Sequence, residues 1–101
     1  MSAGNSKNIS LRAQTRRIDL NQLRSAIAAA DCGSFRQAAE LLSVRHSVLS
    51  RSIGDLEHSI GVVLFERSSS GVSPTPAGHD VLQTARMVLE QVDALIMTEV
   101  E

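Results

Sequence analysis

Residues 46–60 read HSVLSRSIGDLEHSI. Leu49, Ile53, Leu56 and Ile60 recur at +4, +3 and +4, the stripe of a helix that buries one side. His46, Ser47, Ser50, Arg51 and Gly54 fall on the other side, and almost all are small or polar. Such a helix packs inward with aliphatics and presents outward a low surface of hydrogen-bonding groups. Gly61 ends it, because glycine takes the left-handed conformation of a helix terminus without strain.

Working back from this helix, Ser43–Arg45 is a short break. Before it, Ser34 and Gln37 have capping-box spacing, and Phe35, Ala38, Ala39 and Leu42 share one face. Ala38 and Ala39 are small enough for another helix to approach closely. Gly33 separates this helix from a first one, in which Leu20, Leu23, Ile27 and Ala30 fall on one face. Asp19 or Asn21 can cap that first helix with a side-chain oxygen. Residues 1–17 show little periodicity and read as a flexible leader, or as a basic arm carrying Arg12, Arg16 and Arg17.

Working forward, Val62–Arg67 is a short apolar run with adjacent β-branched residues, which predicts a strand. SSSG at 68–71 reads as a turn, and Val72–Ser73 as a returning strand. Thr75 then Pro76 are N-cap and N1 of a last helix that nothing interrupts before Glu101 except Gly78. Leu82, Ala85, Leu89, Val92 and Ile96 are spaced +3, +4, +3 and +4, and Val81, Val88 and Leu95 widen the stripe. A helix of some 25 residues is about 38 Å long. It exceeds what a small body can cover, so its surplus apolar face calls for a partner, most simply a second copy.

The chain has 101 residues, 43% of them apolar, enough for one small core. No apolar run reaches the roughly 20 residues of a membrane span. The polar leader has no apolar signal core, and the single Cys32 cannot pair within the chain, which together point to a cytoplasmic, reducing setting. No Cys/His spacing suits zinc and no glycine-rich phosphate loop occurs. Net charge is −1, but unevenly placed: residues 1–67 hold nine Arg/Lys against six Asp/Glu, and residues 68–101 hold one against five. The body is mildly basic and the tail acidic.

Helix, helix, short turn, helix, hairpin is the order of a winged helix-turn-helix, here followed by a long helix. Residues 20–82 resemble the N-terminal domain of LysR-type transcriptional regulators. The matching stretches are GSFRQAAELL at 33–42, VLSRSIGDLEHSIGVVLFER at 48–67 and TPAG at 75–78. The resemblance implies a mainly α domain at 18–74 that binds double-stranded DNA, and a linker helix at 75–101 that forms a homodimer. By position it implies that Arg45, His46, Ser47, Ser50 and Arg51 face bases and phosphates, with Ser34, Arg36 and Arg67 on the DNA backbone. Dimer contacts would come from Val81, Leu82, Ala85, Val88, Leu89, Val92, Leu95 and Ile96. No cofactor is implied.

Four departures bear on the site. The family usually enters the third helix with Ser-Gln-Pro or Ser-Gln-Ser; here Arg45-His46-Ser47 stands there. Either Ser43 replaces the lost serine cap or the helix start shifts, and His46 in place of Gln alters specificity. Ser70 stands where the wing usually carries a basic residue. Pro74 precedes the Thr of the T-x-A-G motif in place of Leu, so the second wing strand is expected to be short. Family members also continue into an effector-binding domain that these residues do not contain, so no small-molecule effector site is expected in them.

Other polar residues read as structural. His58 and His79 are expected on the surface, Cys32 half-buried, and Glu57 in a structural role that includes pairing with an arginine. No nucleophile elbow, paired carboxylates or metal spacing points to an enzyme. Neither Phe35 nor Phe65 reads as an exposed stacking platform for single strands. The rival reading is an interaction module, in which a short form pairs with other regulators through the long helix and binds DNA weakly.

Overall fold

The computed structural model describes residues 18–100, with side chains through residue 97. The leader at 1–17, with Arg12, Arg16 and Arg17, and the end of the acidic tail lie outside the described residues. The described residues form α1 (Leu20–Cys32), α2 (Phe35–Leu42), α3 (His46–Ile60), β1 (Phe65–Ser68), β2 (Gly71–Pro74) and α4 (Pro76–Val100). This is a winged helix-turn-helix followed by a long helix.

Three of the four described helices begin where a side chain or a proline accounts for free N–H groups. Asp19, not Asn21, caps α1: its Oδ1 accepts from Gln22 N–H at 2.9 Å, and Gln22 Oε1 accepts from Asp19 N–H at 3.1 Å. Such a reciprocal box satisfies two donors at once. Ser34 Oγ accepts from Gln37 N–H at 3.1 Å and starts α2. Helix α3 starts at His46, unshifted, and Arg45 at its N-cap gives no side-chain hydrogen bond. Ser43 does not replace the missing cap. It takes the left-handed conformation (φ 57°, ψ 42°) and closes α2, its N–H donating to the carbonyls of Ala39 and Glu40.

The core lies where α1, α2 and α3 cross. Leu49, Ile53, Leu56 and Leu64 are fully buried, and Ala26, Ala29, Ala38 and Ala39 let the helix axes approach. Phe35 and Phe65 meet edge to face with centroids 5.6 Å apart. Burying each large aliphatic contributes about 1.5–3 kcal/mol.

The expected strand at Val62–Arg67 is shifted. Strand β1 begins only at Phe65, because the backbone of 62–64 bonds elsewhere. Val62 N–H donates to Glu57 O at 3.2 Å, and Leu64 N–H to Glu57 Oε2 at 2.7 Å. Thr75 Oγ1 donates to Val63 O at 2.6 Å, and Thr75 N–H to Leu64 O at 2.9 Å. Glu57 therefore ties the wing to α3 through a backbone amide, where an arginine partner was expected. The hairpin pairs Phe65 with Pro74, Glu66 with Ser73, Arg67 with Val72 and Ser68 with Gly71. Pro74 falls at the strand end, where its missing N–H costs the ladder least.

Thr75 also caps α4, its Oγ1 accepting from Gly78 N–H at 2.8 Å. Gly78 is required by packing: a Cβ there would lie 2.2 Å from Leu64 O. Gly71 is required twice over, with φ 130° and the carbonyl of Gly33 only 2.3 Å from a would-be Cβ. Val72 N–H donates to that same Gly33 carbonyl at 3.1 Å, which docks the wing on the end of α1.

Helix α4 leaves the body along its length. Leu82 and Ala85 are buried in the core, with Val81 and Leu89 packed partly against it. Beyond them, among the described residues, Leu95 (66% exposed), Ile96 (56%) and Met97 (67%) stand open. The stripe from Val81 to Ile96 is thus two surfaces. Leu82 and Ala85 belong to the fold of the single chain, which corrects their assignment to a partner-facing seam. At the junction, Arg86 forks onto Asp31 of α1, with Nη2–Oδ1 at 2.5 Å and Nη1–Oδ2 at 3.4 Å. The hydrogen bond to Asp31 holds the Arg86 guanidinium above its ordinary pKa.

Candidate nucleic-acid interface

Burying Leu49, Ile53 and Leu56 fixes which way the rest of α3 points. Arg45, His46, Ser47 and Arg51 are exposed on its outer side, and Ser50 is half-buried beside them. Four of the eight residues expected to meet DNA therefore lie on this helix, with a fifth, Arg45, at its N-cap. Arg45 gives the first turn of α3 no side-chain cap hydrogen bond. A helix N-terminus with free N–H groups favours anions.

The other three expected residues flank this surface. Ser34 is half-buried and its Oγ is engaged in capping α2. Arg36 is highly exposed and lies 3.8 Å from Glu40, one turn on. An exposed i, i+4 pair of that length holds its partners weakly, so Arg36 stays available to another anion. Arg67, on β1, places its guanidinium carbon 4.7 Å from the centroid of Phe35. His46 approaches the same ring, at 6.5 Å between centroids. Phe35 thus links the start of α2, the start of α3 and the wing, and it orients two cationic or polar side chains from a buried base.

Between α3 and the wing runs a groove of about 420 Å³, lined by Ser50, Gly54 and Glu57 on one side and Val63, Phe65 and Arg67 on the other. Glu57 and Thr75 set its width by pinning 62–64 against the helix. At the wing tip Ser68 and Ser70 bond to each other, Oγ to Oγ at 3.0 Å, and no cation extends from the turn. Among the described residues no group of His, Cys, Asp and Glu is placed to hold a metal ion. No helix among them is long and apolar enough to cross a membrane.

One member of this surface was not singled out from the sequence. Val48 is half exposed on α3, an apolar side chain among polar neighbours. Gly54 stands mid-helix with open space where a Cβ would be. A glycine there costs helix stability, and among the described residues no atom outside its own stretch of helix lies within 4 Å of where its Cβ would be. The signal for Val48 was present: it sits at an outward position of the stripe that fixes Leu49, Ile53 and Leu56 inside.

Comparison with known proteins matches this arrangement. The profile of the bacterial regulatory helix-turn-helix protein, lysR family, fits residues 20–79. The HTH-type transcriptional regulator TfdS of Cupriavidus pinatubonensis is 44% identical over 73 residues, which are 72% of this chain and 25% of TfdS. BenM of Acinetobacter baylyi, also an HTH-type transcriptional regulator, is 38% identical over 79 residues, 78% of this chain and 26% of BenM. The chain thus spans about a quarter of the length of these curated relatives. Among solved structures, the BenM DBD in complex with catB site 1 DNA superposes with a TM-score of 0.78 at 36% identity, over 81% of this chain and 92% of that one. The CbnR DBD–DNA complex gives 0.77 at 36% identity, over 81% of this chain and 95% of that one.

Proposed function

The chain belongs to the lysR family of bacterial regulatory helix-turn-helix proteins, and from that premise we propose that it is a transcriptional regulator that binds duplex DNA sequence-specifically as a homodimer. The observation that carries the proposal is the exposed side of α3. Its neighbours in space are the cationic side chains Arg45, Arg51 and Arg67 and the hydrogen-bonding His46, Ser47 and Ser50. In this reading α3 enters the major groove, where each base pair presents its own pattern of donors, acceptors and methyl groups. Arg51 and His46 read base edges. Arg36, Arg45 and Arg67 meet phosphates, as does Ser34 at the start of α2, and these contacts supply most of the affinity. Ser47 is small enough to let the helix sit deep.

The exposed apolar half of α4 supplies the dimer contact, through Val88, Val92, Leu95 and Ile96. Two copies then present two α3 helices to a dyad site. Binding is non-covalent, involves no catalysis and uses no cofactor or metal. The protein acts in the bacterial cytoplasm, on the nucleoid. The serine wing tip lowers affinity relative to a wing with a basic tip. A partner-only role, with pairing through α4 and weak DNA affinity, is less well supported, since domains of this shape from BenM and CbnR are solved on DNA.

Salt titration of binding to duplex DNA tests the proposal. Affinity falls steeply and linearly on a log–log plot, with a slope near the number of phosphates met. Arg36→Ala lowers that slope by about one. Affinity that is flat with salt would contradict the phosphate contacts assigned here.

A further inference from the structure

A regulator that reads two half-sites must hold its two α3 helices at a fixed separation, and in this chain that separation depends on the direction in which α4 leaves the body. Leu82 and Ala85 anchor the first turns of α4 in the core, and the exposed apolar half follows from Val88 onward. Arg86 lies between the two. Its guanidinium forks onto both carboxylate oxygens of Asp31, 55 residues away in the last turns of α1. A fork of two parallel hydrogen bonds fixes orientation as well as distance, which a point charge does not. Among the described residues the other ion pair, Arg36–Glu40, lies within α2, so Arg86–Asp31 is the ion pair that joins two elements.

Asp31 is also well placed to transmit a direction. Two residues on, Gly33 accepts the Val72 N–H and abuts Gly71, so the wing is registered to the same end of α1. From Arg86 to Val100 the helix runs about 21 Å at 1.5 Å per residue. A swing of about 10° at Arg86 moves its far end by about 4 Å, close to the ~3.4 Å rise of one base pair. Small changes of exit angle are therefore large on the scale that a dyad site samples.

We propose that the Arg86–Asp31 fork is a positioning device that sets the exit angle of α4 and thereby the half-site spacing the dimer accepts. The inference rests on the DNA-binding, dimeric reading above. Both side chains are about half exposed, so the pair biases the angle and does not lock it. Neither residue touches DNA in this account.

The test uses the full 101-residue chain. A half-site enriched from random duplex DNA is placed in inverted pairs at a series of spacings, and binding is measured to each pair and to a single half-site. Wild type prefers one spacing. Asp31→Asn and Arg86→Gln lower the preference for it over spacings one base pair longer or shorter by about two- to fivefold, the range of an exposed ion pair. Single half-site affinity and the thermal midpoint stay within error. Exchanging the partners, Asp31→Arg with Arg86→Asp, restores the preference. Unchanged spacing profiles in both single variants would overturn the inference while leaving the DNA reading intact. So would a loss of single half-site affinity in step with the dyad, which marks general destabilisation. Failure of the wild type to prefer any paired half-site would instead remove the dimeric reading on which the inference stands.

Discussion

Helices α3 and α4 are both amphipathic, yet their apolar residues meet different fates. In α3 the stripe of Leu49, Ile53 and Leu56 is wholly buried within the chain, and what remains outside is mostly polar. In α4 only the first turns are covered, and Leu95, Ile96 and Met97 stand more than half exposed. A completed inner face frees the outer face of α3 for a polar ligand. An uncompleted one on α4 asks for an apolar ligand. The same periodic signal in sequence thus leaves two different exposed surfaces, and the deciding quantity is how much body lies within reach of each helix.

The contrast predicts effects of very different size and kind. Leu49→Ala, at a fully buried position, destabilises the fold by about 2–5 kcal/mol in denaturant unfolding. Leu95→Ala with Ile96→Ala removes exposed apolar area that a second copy covers in the proposed dimer. Dimer affinity, read by sedimentation, falls by about 3 kcal/mol, while the unfolding of a dilute, monomeric sample moves by less than about 0.5 kcal/mol. Equal loss of stability at Leu95 and at Leu49 would erase the distinction drawn between the two helices.

Smaller changes sharpen it on the polar side. Arg51→Ala weakens binding to the preferred site by about 1–3 kcal/mol if the guanidinium forks onto a guanine, with stability within error. Binding unchanged by this substitution would mean that the reading surface lies elsewhere on α3. Gly54→Ala gives the smallest effect: the fold gains about 0.5–1 kcal/mol, because an exposed mid-helix glycine is replaced with nothing in the way.

Much of this was legible in the residues. Helix α3 runs from His46 to Ile60, as its stripe and Gly61 indicate, and α4 starts at the Thr75–Pro76 pair. These features are local: periodicity, a cap, a proline. What escaped the sequence was decided by contacts between distant segments. Val62–Leu64 looks like a strand in isolation, but Glu57 and Thr75 take its backbone groups and delay β1 to Phe65. Ser43 has a capping side chain, yet its place at the end of α2 gives it a left-handed backbone instead. Leu82 and Ala85 share the spacing of Leu89 and Ile96, and nothing in that spacing tells which half of α4 lies over the core. At the interface the composition of the α3 surface was readable. Its organisation was not: Phe35 beneath both Arg67 and His46, and the groove between α3 and the wing, exist only once the hairpin is docked.

The most direct test of the whole account is selection from a random duplex-DNA pool at moderate salt, followed by sequencing of the bound fraction. The account predicts enrichment of a dyad with fixed spacing between its halves, the signature of two α3 helices held apart by paired α4 helices. A protein that is folded and dimeric but enriches no sequence would contradict it, and would place the function of α4 in pairing with other regulators.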